Sequence, residues 1–111
     1  MLGVSPVLVR PCNGIGFGMV SVIFKHRLTP VGWDVSSQDW SKTTPSDIID
    51  RVLKALKPGA IVLLHDGHIP GKPRSAEPTV KALPGLIQAL KEANYNFLTV
   101  PELFGISPYH F

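Results

Sequence analysis

The 111 residues carry 44% hydrophobic and 17% charged side chains, the balance of a globular chain that buries a core rather than of a disordered or fibrous one. A formal charge of +3, scattered from Arg10 to Lys91 without a basic run or interleaved aromatics, reads as solvated surface and argues against nucleic acid as a partner. The single cysteine, Cys12, excludes an internal disulfide and a cysteine-built zinc site; no apolar run reaches the roughly 18 residues of a membrane span, and MLGVSPVLVRP lacks the charged start and long apolar stretch of an export signal.

Pro6-Val7-Leu8-Val9 predicts a first strand that ends at Arg10, with Pro11, Asn13 and Gly14 supplying a turn. Met19, Val20, Ile23 and Phe24 recur at helical spacing, which predicts a helix over 18–27 with Lys25, His26 and Arg27 in its last turn, where cations suit the helix dipole. Thr29 to Val35 predicts a second strand. The polar SSQDWSKTT then leads to Thr44-Pro45-Ser46-Asp47, a capping hydroxyl followed by proline at the first helical position and an acid in the first turn. Ile48, Ile49, Val52, Leu53 and Leu56 form the apolar stripe of this second helix, and Pro58-Gly59 stops it.

Ala60 to Leu64 is apolar on both faces, which suits a parallel strand covered on each side. After the proline-rich HIPGKPRSAEP a last helix runs to about Ala93, with Pro84 expected near its start and Asn94 in the left-handed position after its end. Tyr95 to Val100 predicts a fourth strand. The order βαβαβαβ calls for an α/β fold of parallel strands joined by right-handed crossovers, whose functional groups gather at the carboxyl ends of the strands. Arg10, the loop from Asp34 to Trp40, and His65 all fall at such ends.

Each candidate has a plain reading beside a functional one. Gly14-Ile15-Gly16-Phe17-Gly18 lies between strand and helix with Asp34 about 20 residues on, as in a dinucleotide site, but Met19 stands where that fingerprint needs its third glycine, and a flexible turn is the simpler reading. His65 and His68 have an H-x-x-H spacing in a loop, and two histidines alone do not close a metal site; His68 reads as a surface residue. Cys12 has no adjacent base and reads as a small packed thiol. Trp40 either covers the strand ends or offers an aromatic face to a sugar ring, and Asp39 is either a solvated loop acid or the partner that orients and charges His65.

Taken together, RPCNG after the first strand, VGWDVSSQDW after the second, PGAIVLLHDG at the third and the closing ALPGLIQALKEANYNFLTVPEL closely resemble the C-terminal half of the polysaccharide deacetylases, the NodB-homology domains of carbohydrate esterase family 4. The resemblance covers nearly the whole chain, so residues 1–111 are expected to form a single partial domain, the C-terminal half of a distorted (β/α) barrel. It implies removal of acetyl groups from N-acetylglucosamine polymers such as chitin or peptidoglycan, or from acetylated xylan, with a divalent metal, commonly zinc.

It implies roles as well. His65 would be the general acid that protonates the departing amine, and Asp39 would hold and tune its imidazole. Arg10 would orient a carboxylate base. Trp40 would wall the acetyl pocket above a floor of Leu63 and Leu64, and the backbone N–H of Asn13 would join the metal in stabilising the oxyanion. The chain departs from the family pattern at Cys12, Asn13 and Ser36. It also lacks the TFDDGP-like motif that supplies the base and one metal ligand, and the H-S/T-x-x-H motif that supplies two more. By this reading the 111 residues bind no metal alone and are inactive alone, with a homodimer or a complementing N-terminal half as partner; relatives are mostly secreted or held in the cell envelope. A non-catalytic carbohydrate-binding remnant and, further off, a nucleotide-binding α/β module are the alternatives.

Overall fold

The computed structural model describes residues 3–67 and 75–110. In chain order its elements are β1 (Ser5–Pro6), β2 (Leu8–Val9), α1 (Phe17–Lys25), β3 (Thr29–Pro30), β4 (Val35–Ser36), α2 (Pro45–Ala55), β5 (Val62–Leu63), α3 (Glu77–Glu92), α4 (Val100–Phe104) and β6 (Tyr109–His110). They fall into two compact units, Met1–Gly32 with Leu98–Phe111, and Trp33–Phe97. No helix among the described residues is long and apolar enough to cross a membrane.

In the first unit β2 and β3 pair in parallel, Leu8 opposite Thr29 and Val9 opposite Pro30, with α1 as the connection between them. Ile23 of α1 and Val31 are buried. The helix stops two residues before the expected Arg27, which takes a left-handed φ of 53° while Leu28 N–H returns to the Ile23 carbonyl at 2.9 Å. That is the chain reversal usually given to glycine, made here by an arginine. Ser5 and Pro6 of β1 pair antiparallel with His110 and Tyr109 of β6, a contact too short for any periodic pattern to announce.

The second unit is built on the parallel pair β4 and β5, Val35 opposite Val62 and Ser36 opposite Leu63. α2 begins with a complete capping box: Asp47 N–H donates to the Thr44 hydroxyl at 3.2 Å and Thr44 N–H donates to the Asp47 carboxylate at 2.9 Å, which occupies two donors a helix start leaves free. Ile48 and Val52 are fully buried, and Ile49 and Leu56 pack partly against the same core. Leu53 is exposed and does not join them, because five residues from Ile48 rotate it about 140° off the stripe. Val35, Val52, Leu86 and Leu90 form the centre, ringed by Ala60, Val62, Leu64 and Tyr95.

α3 corrects the expected start near Pro84. It begins seven residues earlier, at Glu77, because the added turns bury Thr79 and Ala82 on the same side as Leu86 and Leu90 and so repay the bond that Pro84 cannot donate. Next to it, Gly85 allows α3 to approach α2: a Cβ there would stand 3.1 Å from Ile49 Cδ1. Asn94 takes the left-handed φ of 60° just after the helix. The fourth strand is absent among the described residues. Residues 95–99 make no ladder, and Thr99 instead caps α4 through a box with Glu102, with Pro101 inside its first turn.

Candidate functional site

Parallel pairing of β4 and β5 brings their carboxyl ends to the same side, and the chain beyond each supplies one member of an acid–base pair. After β4 the backbone turns sharply: Gln38 sits at a left-handed φ of 53°, and its carbonyl accepts from Ser41 N–H at 2.9 Å and from the Ser41 hydroxyl at 2.7 Å. A non-glycine residue there costs about 1–2 kcal/mol, so the turn persists only because its surroundings hold it. Arg51 of α2 donates to the Ser37 carbonyl at 2.9 Å, and the buried Ser37 hydroxyl accepts from Asp39 N–H at 3.3 Å. These contacts aim the Asp39 side chain inward, where it is 0% exposed.

Asp39 meets His65, which follows β5. Its Oδ1 lies 2.7 Å from His65 Nδ1, and its Oδ2 accepts from His65 N–H at 2.7 Å and from the Thr79 hydroxyl at 2.9 Å. Burial alone would raise the Asp39 carboxyl, but the hydrogen bonds from His65 and Thr79 outweigh it and hold the group below its ordinary value. The carboxylate is therefore charged at neutral pH, and a charged acceptor at Nδ1 places the ring proton on that nitrogen. The imidazole is 44% exposed, which leaves Nε2 as the nitrogen able to exchange a proton with a ligand. Chemically, the arrangement is a histidine whose Nδ1 is held by a buried carboxylate and whose Nε2 is open to a ligand.

Leu63 and Leu64 are half-buried, Leu64 against the core. Trp40 is 47% exposed. In the other unit, Arg10 donates from Nη2 to the Gly32 carbonyl at 3.1 Å, and Asn13 is exposed at a left-handed φ of 62° in the turn closed by Gly14 N–H to the Pro11 carbonyl at 3.2 Å. Cys12 is exposed, which corrects its reading as a packed thiol: it lies in the turn after β2, where Pro11 and not Cys12 takes the buried place. His68 lies outside the described residues.

Asp34 precedes β4, so it sits at the amino end of the strand and not at the carboxyl end expected of it. Its Oδ2 accepts Ile61 N–H at 3.0 Å and its Oδ1 lies 3.9 Å from Lys57 Nζ, so it fastens the start of β5, at the strand end away from Asp39 and His65. Sequence reasoning missed Thr79, Ser37 and Arg51. The one available signal was a threonine, rather than an apolar residue, on the buried face of α3.

Do these residues suit a divalent metal? Such an ion needs three or more converging donors, and the two oxygens of Asp39 already accept three hydrogen bonds. Among the described residues no three of His, Cys, Asp and Glu converge as a metal site. The donors gathered around Asp39 and His65 do not fit such an ion.

No family model matches the chain. It is 41% identical over 85 residues to the chitooligosaccharide deacetylase of Bradyrhizobium sp. (strain ANU 289), an alignment that covers 71% of this chain and 39% of that protein. Among solved structures, the Bc1960 peptidoglycan N-acetylglucosamine deacetylase superposes with a TM-score of 0.82 at 26% identity, over 97% of this chain and 49% of that one. Wild-type BA3943, a carbohydrate esterase family 4 pseudoenzyme from Bacillus anthracis, gives a TM-score of 0.68 at 29% identity, over 86% of this chain and 31% of that one. The chain spans less than half the length of the curated relatives it matches. The sequence and fold together place it in the polysaccharide deacetylase family, carbohydrate esterase family 4.

Proposed function

We propose that these 111 residues are the acid-bearing, C-terminal portion of a metal-assisted deacetylase acting on N-acetylglucosamine polymers of the chitin or peptidoglycan type, with both compact units belonging to one partial domain. The observation that carries this reading is the fully buried Asp39 carboxylate 2.7 Å from Nδ1 of a half-exposed His65. An amide nitrogen leaves poorly as an anion, so C–N cleavage needs a proton delivered to it. With Nδ1–H held by Asp39, the imidazolium gives up its Nε2 proton to the departing amine and returns to the neutral ring.

Motif position supports the other assignments: Arg10 orienting a carboxylate base, Asn13 N–H donating to the oxyanion, Trp40 walling the acetyl pocket and Leu63 with Leu64 flooring it. The base and the metal ligands come from outside the 111 residues, and the chain by itself is inactive. One observation supports a complementing segment. Phe17, Val20 and Phe24 lie at i, i+3 and i+7 on α1 and are all exposed, an apolar stripe that a solvent-facing helix does not carry.

A chimera tests the reading. The matching segment of the Bradyrhizobium chitooligosaccharide deacetylase is exchanged for this chain, and acetate release from chitooligosaccharide is measured. The chimera is expected to be active, with His65→Ala lowering kcat by about 10²–10⁴. Activity indifferent to His65→Ala would overturn the acid assignment. The likeness to a pseudoenzyme favours a second reading, a non-catalytic glycan-binding chain. A folded, metal-loaded chimera that binds glycan, resists a chelator in doing so and releases no acetate would establish it instead.

A further inference from the structure

We infer that Thr79 is a positioning residue for the Asp39–His65 pair, the one contact that fastens their shared carboxylate to helix α3. The inference rests on His65 being the general acid for its functional meaning, but not for its geometry.

Of the three donors that reach the Asp39 carboxylate, two belong to His65: its ring Nδ1 at Oδ1 and its backbone N–H at Oδ2. The first holds the ring, and the second ties the carboxylate to the chain just after β5. The third, the Thr79 hydroxyl at 2.9 Å from Oδ2, comes 40 residues further along the chain, from the first turn of α3. Both partners are buried, Thr79 at 5% exposure, so water does not compete for the bond. At the third position of α3 no helical carbonyl lies four residues earlier, and the hydroxyl is directed across to the acid. α3 is in turn held by Leu86 and Leu90 in the core, so the carboxylate plane is referred to a helix seated in that core.

The consequence for catalysis is rotational. Without the Thr79 bond Oδ2 keeps one donor among the described residues, the His65 backbone N–H after β5, so the carboxylate can pivot about that bond and the direction of Nε2 is set less firmly. The bond also withdraws charge from Oδ2, one of the causes that hold the acid low.

The test uses the 111-residue chain and the variants Thr79→Val, which keeps the β-branched shape without the hydroxyl, and Thr79→Ser, which restores the hydroxyl. Two NMR readouts are taken: the titration of the Asp39 side-chain carbonyl carbon, and the ring nitrogen shifts of His65. Thr79→Val is expected to move the Asp39 midpoint upward and to mix the His65 tautomers, and Thr79→Ser to return both towards the parent. In the active chimera, Thr79→Val lowers kcat about tenfold, the loss of one hydrogen bond to a charged group, with KM unchanged. Should Thr79→Val not fold, Thr79→Ala gives the same comparison without the bulk. A variant that is merely less stable, with the Asp39 midpoint and the His65 tautomer as in the parent, overturns the inference. If both NMR signatures move while chimera activity ignores His65→Ala, the positioning holds and only the acid assignment falls.

Discussion

Replacing Asp39 by asparagine changes one atom in a buried site, and the structure fixes which way round the amide must go. Oδ2 receives two donors, His65 N–H at 2.7 Å and the Thr79 hydroxyl at 2.9 Å, so an NH2 group in that place would face a backbone N–H with no acceptor between them. The asparagine oxygen therefore takes the Oδ2 place. Its NH2 group faces His65 Nδ1, which must then accept and pass its proton to Nε2. All three hydrogen bonds survive as neutral ones. Bonds to a charged group are worth about 1.5–3 kcal/mol against about 0.5–1.5 for neutral pairs, so three conversions amount to about 3 kcal/mol. The neutral amide costs less to bury than a carboxylate, and the 44% exposed ring adds little coulombic energy, which leaves a net loss of about 1–2 kcal/mol. Urea denaturation measures that loss, and ring nitrogen shifts of His65 report the tautomer. An Asp39→Asn chain of parent stability that keeps its proton on Nδ1 would refute the reasoning, because the carboxylate would then not be what fixes the imidazole.

Acid should weaken the fold in a defined direction. Asp39 is held below its ordinary value, so the stability it contributes is complete above its unfolded value of about 3.9 and is lost as the pH falls through the lower folded one. The urea midpoint is expected to fall below about pH 4 and to fall less steeply in Asp39→Asn; equal slopes would show that the pair contributes nothing. A residual slope remains, because Asp47, held low by the Thr44 backbone N–H, and Glu102, held low by the Thr99 hydroxyl, titrate in the same sense. Thr44→Ala removes the hydroxyl of the α2 cap and is expected to cost about 1 kcal/mol in the same assay. Pro84→Ala should do the opposite and raise stability by about 1–3 kcal/mol, since Pro84 is exposed, interior to α3 and packed into nothing that requires it. A loss on Pro84→Ala would mean that the proline bends α3 into its seat.

What the sequence made legible was local. The α2 start is written in four consecutive residues, the left-handed Asn94 in one, and the strand-to-loop changes before Asp39 and His65 in the loss of apolar neighbours, although the single strand expected over Thr29 to Val35 is two, β3 and β4, with different partners. Those changes were enough to bring Asp39 and His65 to the same ends of β4 and β5. The errors share a cause. Tyr95 to Val100 carries strand-forming residues, yet Thr99 and Glu102 form a capping box with Pro101 between them, and a cap overrides the apolar run that leads into it. Pro84 marks a helix boundary by propensity, yet burial of Thr79 and Ala82 extends α3 past it.

Thr79 shows the limit most clearly. The expected helix begins near Pro84 and leaves Thr79 outside it, and even with the helix placed correctly propensity treats threonine there as a mild defect; neither reading can tell that its hydroxyl meets a carboxylate 40 residues earlier. Yet the two facts constrain each other. A buried carboxylate needs donors, and a polar residue on a buried helix face needs a use for its hydroxyl. When a chain places one of each in adjoining elements, pairing them is the cheaper solution for both, so a lone hydroxyl on an apolar helix face is a reason to look for a buried acid even before coordinates exist.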